Sequence, residues 1–315
     1  MSTSPGSKRG GPRSKVDWTP GAPYERITVR KATPAVGAFI ENVDLADLDD
    51  ETFAEVHRAL LENCVVFFRD QNLTVDQHID FGRRFGDLDV HPAAANAAGR
   101  EEILVISADE NSNRANGEAW HSDVSCQEQP PAQSILHMHE VPPTGGDTMF
   151  TSMYAAYDAL SERMKAYLDG LVAVHDGEHV YRGLYTGVAD KPTYPRAKHP
   201  VVRTHPETGR KGLFVNRAFT THIDGVPRDE SDAILGYPVR PHGAPELPGA
   251  FHVAGELHRD VGQPLRTAPG HLGLLAAPQV RPPRHRSRRH AVLINRNGGG
   301  WRCRGRGSPR GRRAR

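Results

Sequence analysis

After Tyr237 the chain changes chemical character, and that break confines a foldable core to the residues before it. Residues 281–315 hold thirteen arginines and no acidic residue. The 315-residue chain has a net charge of +2, so setting those thirteen charges aside leaves residues 1–280 at −11. An acidic body of that length can bury a sizeable core. An Arg/Pro/Gly-rich run has too little apolar surface to offset the entropy of ordering it. The same argument makes residues 1–23, built from Gly, Pro, Ser and basic side chains, a disordered basic arm. The expected organisation is an arm over 1–23, a globular domain over 24–237 and an aberrant, disordered tail over 238–315.

Several classes fall away on composition. The three cysteines, Cys64, Cys126 and Cys303, are far apart and odd in number, which excludes a disulfide framework and a CxxC metal site. There is no run of eighteen apolar residues and no apolar segment behind the basic N-terminus. The reading therefore expects no membrane span, no secretory leader and a cytoplasmic location. It leaves a homo-oligomer open.

Periodicity places the elements. Ile27 to Val29 reads as a strand. Asp50 to Asn63 puts Phe53, Val56, Leu60 and Leu61 on one helical face, ahead of the apolar run Val65 to Phe68. Thr74 and Gln77 make a capping box, opening a helix with Phe81 and Phe85 on one face and a stop at Gly86. Further strands are expected over 103–106, 134–139 and 213–215, with one helix from Met153 to Leu171. Strands outnumber helices, and there is neither a βαβ rhythm nor a phosphate loop. The fold class is mainly β with helices, a barrel or jelly roll.

An imidazole and a carboxylate two residues apart on an extended segment share a side, which suits a divalent metal. This H-x-D pattern occurs at His78–Asp80, His121–Asp123, His222–Asp224 and His258–Asp260. The first falls inside the amphipathic helix, where i and i+2 diverge. The third precedes Gly225 and reads as a turn, and the fourth lies beyond the composition break. His137 and His139 alternate on a strand among Ile135, Leu136 and Met138, which favours a half-buried structural strand over a metal pair. His57, His175, His179 and His205 have no partner pattern and read as solvated or satisfied structural residues.

The second H-x-D differs in its surroundings: Trp120-His121-Ser122-Asp123, then Pro130-Pro131 with Ile135-Leu136, then Gly145-Gly146-Asp147-Thr148. In this order the motifs resemble the taurine dioxygenase and TfdA-like family of iron(II)- and 2-oxoglutarate-dependent dioxygenases. The resemblance runs from about Ile27 to Leu235, through Phe85-Gly86, His91-Pro92, His199 to Arg203 and Leu213 to Asn216. It implies a double-stranded β-helix, a cupin-like jelly roll, here incomplete at its C-terminal end. It also implies that His121 and Asp123 are two ligands of a 2-His-1-carboxylate face holding Fe(2+), with open positions for 2-oxoglutarate and dioxygen. Thr148 matches the threonine that contacts a 2-oxoglutarate carboxylate, although a turn-capping hydroxyl reads equally well locally. His91 matches the histidine that hydrogen-bonds a sulfonate substrate, against an ordinary loop histidine before proline. Phe219 is a candidate for the substrate wall, against a plain core phenylalanine. The implied substrates are small sulfonates or alkyl sulfates such as taurine, hydroxylated beside the sulfur-bearing group.

The family's third ligand and carboxylate-binding arginines come from a stretch like W-D-N-R-x-x-Q-H, then W-D-Y and R-R-V-T, which this chain lacks. Displacing the reading frame by one nucleotide gives codons whose degeneracy admits it. The codons of Val261 to Leu265 then admit Trp-Asp-Asn-Arg, those of Thr267 to Pro269 admit Gln-His, and those of Leu272 to Leu275 admit Trp-Asp-Tyr. Pro282 to His285 admit Arg-Arg-Val-Thr. This order of coincidences points to a frameshift near codons 236–238 and leaves the chain two ligands where three are needed. His271, in Ala-Pro-Gly-His-Leu-Gly, lacks the strand context of a replacement.

Two other classes remain as alternatives. One is a nucleic-acid-binding protein using the Arg-rich tail on phosphates, and the other is a non-functional relative. The displaced frame accounts for the arginines without a nucleic-acid role, so that partner is not expected.

Overall fold

The 3.6-residue pattern and the capping box both become helices. Helix α1 (Asp50–Asn63) starts where Asp49 accepts the Thr52 amide at 2.7 Å, and it buries Val56, Leu60 and Leu61. Helix α2 (Val75–Arg83) opens on the reciprocal pair: the Thr74 amide donates to Gln77 Oε1 at 2.9 Å, and the Gln77 amide to Thr74 Oγ1 at 3.2 Å. It ends at Arg83, ahead of the expected stop at Gly86. A computed structural model of the chain describes residues 20–92, 96–97, 99–106, 119–139, 148–182, 194–239, 251–253 and 291–295. Most of the expected N-terminal arm lies outside them.

The strands are β1 (Thr28–Lys31), β2 (Ala38–Glu41), β3 (Val65–Arg69), β4 (Asn96–Ala97), β5 (Arg100–Leu104), β6 (Ser134–Met138) and β7 (Thr148–Phe150) in the first half. In the second half they are β8 (Val172–Asp176), β9 (Arg196–Pro200), β10 (Val202–Thr204), β11 (Lys211–Leu213), β12 (Thr220–Ile223), β13 (Phe251–Val253) and β14 (Ala291–Asn295). One sheet has the order β1-β2-β3-β14-β6, parallel only between β2 and β3, and a second has β12-β8-β9. The pairs β10-β11, β13-β7 and β4-β5 form ribbons. The mainly β architecture with helices is as expected.

The expected helix from Met153 to Leu171 is two helices, α3 (Met153–Asp158) and α4 (Glu162–Leu168). Ser161 breaks it: its hydroxyl accepts the Met164 amide at 3.2 Å and starts a new helix. A serine offered a free amide competes with helix continuation. Helices α5 (Glu178–Tyr181) and α6 (Arg228–Val239) complete the described set. The strands expected over 103–106 and 213–215 lie two to three residues earlier, in β5 and β11.

Two short strands fall within the tail expected over 238–315. Strand β13 pairs antiparallel with β7, and β14 pairs antiparallel with both β3 and β6 over five residues each. Ala-Val-Leu-Ile is an apolar run inside basic sequence, and two facing strand edges recruit such a run. Apart from residues 238 and 239 at the end of α6, the remainder of the tail, including His258, Asp260 and His271, lies outside the described residues.

Cores form on each side of this framework. Val56, Ala59 and Leu60 of α1 pack on Ala38, Ile40, Val66 and Phe68, with Phe81 of α2 closing the cluster. Leu168, Ala173, Val201, Leu213, Val215 and Ile223 make a second cluster. Each large apolar side chain so buried stabilises by roughly 1.5–3 kcal/mol. A smaller cluster of Val124, Cys126, Tyr181 and Phe219 sits at the segment bearing His121 and Asp123.

The capping box yields a direct test. Thr74→Ala removes one of its two bonds and is expected to cost about 1 kcal/mol in urea denaturation of the full chain; an unchanged midpoint would deny the box any weight.

Candidate metal centre

His121 and Asp123 enter on an extended segment, as the two-residue spacing requires. Ahead of them the Trp120 carbonyl accepts the Ala218 amide at 3.2 Å. Behind them the chain turns sharply, with the Gln127 amide donating to the Val124 carbonyl at 3.0 Å. Val124 lies in the left-handed region at φ +48°, a costly conformation for a β-branched residue.

The two side chains meet. His121 Nδ1 donates to the Ala119 carbonyl at 2.8 Å, which leaves Nε2 facing Asp123 Oδ1 at 3.0 Å. The other Asp123 oxygen accepts the Ser134 hydroxyl at 2.5 Å, so the first residue of β6 fixes the carboxylate plane. Burial lowers the His121 pKa, but the hydrogen bond and charge of Asp123 and the Ala119 carbonyl raise it more, so the net shift is upward. A metal at Nε2 displaces that proton.

These contacts test the pair as iron ligands. Neighbouring corners of an octahedron with bonds of about 2.1 Å lie about 3.0 Å apart, which matches the separation of Nε2 and Oδ1. One imidazole and one carboxylate, each oriented by an outer hydrogen bond, suit ferrous iron. The pair thus fits two of the three protein positions expected of such a centre. Among the described residues no group of three or more His, Cys, Asp or Glu converges as a metal site.

A polar cluster lies behind the turn. Ser125 is fully buried, and its hydroxyl is 3.0 Å from both His175 Nδ1 and Asn216 Nδ2. Asn216 Oδ1 accepts the Phe219 amide at 2.9 Å. His175 stacks on Phe214 and meets the edge of His199, while the Arg203 guanidinium covers the Phe214 ring at 4.0 Å. His199 Nε2 donates to the Gln127 carbonyl at 2.9 Å. Burial, then the nearby His199, pushes His175 down to about 3, and burial lowers His199 also. Both rings are neutral near pH 7.

The substrate-side candidates come together through a residue that the sequence reading passed over. The Tyr181 ring is 5.4 Å from His91 and 5.7 Å from Phe219, centroid to centroid. Tyr181 and Phe219 are each 3% exposed, so the row is a packed wall. Its sequence signal was slight, an aromatic in a four-residue helix. Thr148 is half-buried at the start of β7, opposite Val253 of β13; the glycines before it lie outside the described residues.

Of the other H-x-D pairs, the two among the described residues have their carboxylates engaged by basic side chains. Asp80 pairs with Arg83 at 3.1 Å, and Asp224 with Lys198 at 2.7 Å. His137 and His139 lie against each other at 4.4 Å, with His78 against His137 at 5.9 Å. His57 pairs with Glu207 at 3.3 Å, and buried His205 accepts the Glu207 and Thr208 amides through Nδ1.

The chain is similar to known proteins. A family model described as taurine catabolism dioxygenase TauD, TfdA family, matches residues 28–237. An alpha-ketoglutarate-dependent sulfonate dioxygenase of Saccharomyces cerevisiae is 31% identical over 226 residues, covering 67% of this chain and 54% of that protein. An alkylsulfatase of Acinetobacter baylyi is 35% identical over 225 residues, covering 68% and 70%. The chain thus spans little more than half the length of the yeast relative. The solved structure of a taurine dioxygenase from Burkholderia xenovorans superposes with a TM-score of 0.60 at 28% identity, covering 90% of this chain and 96% of that one. The jelly-roll fold is shared. No helix among the described residues is long and apolar enough to cross a membrane.

The buried histidines set a pH dependence. Their folded pKa values lie below the ordinary 6.5, so in acid the unfolded chain binds protons that the native state excludes. Stability is then complete above pH 6.5 and declines as pH falls toward about 3. Urea midpoints from pH 8 to 5 should drop below pH 6.5, with a shallower slope in His175→Gln; equal slopes would contradict a neutral, buried His175.

Proposed function

The chain belongs to the TauD/TfdA family of dioxygenases, and from that premise we propose that it is an Fe(II)- and 2-oxoglutarate-dependent dioxygenase acting on a small sulfonate or alkyl sulfate. The observation that carries this reading is the His121–Asp123 pair, with ligand atoms 3.0 Å apart and the carboxylate held by Ser134. Relatives named for sulfonates and for alkyl sulfates support that pair of substrate classes. The described residues leave both classes in the reading.

His121 Nε2 and Asp123 Oδ1 would hold the iron, which with 2-oxoglutarate and dioxygen supplies the oxidising power for C–H hydroxylation. The Ala119 carbonyl keeps the His121 proton on Nδ1. Ser134 neutralises part of the charge on the Asp123 oxygen that faces away from the imidazole. The Thr148 hydroxyl is the hydrogen-bond donor for a 2-oxoglutarate carboxylate. His91 donates to a sulfonate or sulfate oxygen, and the Tyr181–Phe219 wall keeps water from the adjoining carbon. In balance, one substrate, one dioxygen and one 2-oxoglutarate give hydroxylated product, succinate and carbon dioxide. A hydroxyl on the carbon bearing the sulfur group makes the product collapse to an aldehyde, with sulfite or sulfate leaving.

The reading extends to the gene. The family match ends at residue 237, where the displaced frame begins to admit the missing motifs. That coincidence supports a one-base frameshift at codons 236–238, with the missing histidine across codons 268–269 and the arginines near codons 279 and 283.

Sequencing genomic DNA across codons 230–290 is expected to show a single-base difference that restores W-D-N-R-x-x-Q-H and R-R-V-T. The restored protein should then release sulfite or sulfate with one succinate each, and lose this on His121→Ala. Succinate formation indifferent to every sulfonate and alkyl sulfate tried would remove the substrate assignment.

A further inference from the structure

Asn216 bonds to both sides of the site at once. Its Oδ1 accepts the Phe219 amide at 2.9 Å, and its Nδ2 donates to Ser125 Oγ at 3.0 Å. A backbone N–H only donates, so the oxygen of the side-chain amide must face Phe219 and its nitrogen must face Ser125. Ser125 Oγ, which accepts from Asn216, also lies 3.0 Å from His175 Nδ1, and His175 Nε2 lies 3.4 Å from Thr220 Oγ1. Thr220 Oγ1 also accepts the Asn216 amide at 2.9 Å, which closes the circuit. Ser125 and His175 are fully buried and Asn216 is 7% exposed, so water is not an adequate substitute partner for any of them.

The circuit grips the turn directly behind the His121–Asp123 pair. Ser125 is two residues past Asp123, and the intervening Val124 is left-handed at φ +48°. The bond across that turn from the Ser125 amide to the Ser122 carbonyl is long, at 3.3 Å. Val124 also packs in one small cluster with Phe219, so displacing either end displaces the other.

We propose that Asn216 is a positioning residue that, through Ser125, holds the His121–Asp123 face and the Phe219 wall in one fixed arrangement. The inference rests on the metal-binding role proposed for that pair. Because the amide serves both ends, metal affinity at one and wall geometry at the other are set together. Outer hydrogen bonds of this kind commonly carry about tenfold or more in metal affinity.

The test is titration of the full-length chain with Mn(II), reading free Mn(II) by electron paramagnetic resonance, for wild type, His121→Ala, Ser125→Ala, Asn216→Ala and the Ser125→Ala/Asn216→Ala double variant. Val56→Ala, in the distant α1 core, serves as a control for lost stability. Binding should vanish in His121→Ala, weaken about tenfold in Ser125→Ala and in Asn216→Ala, fall no further in the double variant, and stay unchanged in Val56→Ala. Ser125→Ala removes one oxygen and keeps the volume, so it decides the matter should Asn216→Ala not fold. Variants that bind as wild type does, losses that add, or an equal loss in Val56→Ala would overturn the inference alone. A wild type with no His121-dependent uptake would overturn the metal reading and this inference together.

Discussion

His121 Nε2 and Asp123 Oδ1, the atoms proposed as ligands, lie 3.0 Å apart, and the chain reverses abruptly behind them, with Val124 at φ +48°. A non-glycine residue held there costs about 1–3 kcal/mol, so the turn persists because its surroundings prescribe it. Ser134 of β6 fixes the carboxylate from one sheet. Ser125 and the Gln127 carbonyl are held by His175 and His199 of the other. The turn is therefore held from strands of both sheets.

The polar groups behind the turn are a liability that becomes a device. A buried hydroxyl, amide and imidazole would each cost free energy alone, but here each is within hydrogen-bond distance of another. Burial of His175, with His199 and Arg203 nearby, disfavours a charge on its ring. Many of the ion pairs lie instead on exposed surface, such as Arg30 with Glu41 and Arg228 with Asp232, and each contributes at most about 1 kcal/mol. Geometry at the site is set from inside.

How much of this was legible depended on the range of the interaction. Local signals carried α1, the Thr74–Gln77 box and the His121–Asp123 pair, because each is written within fourteen residues or fewer. Ser161 was visible but outweighed by the Leu160, Met164 and Leu168 periodicity, and it split the helix. The circuit was not legible, since Ser125, His175 and Asn216 stand 50 and 91 residues apart and none has a motif of its own. Tyr181 was missed for the same reason: it matters through His91 and Phe219, not through its neighbours in sequence. The Ala291 to Ile294 run could have been noticed, but the arginines around it dominated the reading.

That last strand separates two kinds of demand on a sequence. The slot between β3 and β6 asks for backbone donors, acceptors and side chains tolerant of a sheet, and both of its edges supply the register. Many five-residue segments meet that demand, including one inside an Arg-rich tail. A metal face asks for an imidazole at one position and no other. Filling a strand slot is thus weak evidence for a reading frame, whereas the ordered return of Gln-His and Arg-Arg-Val-Thr in the displaced frame concerns residues that chemistry does not let vary. The sheet can close on a degenerate sequence; the third corner of the iron site cannot.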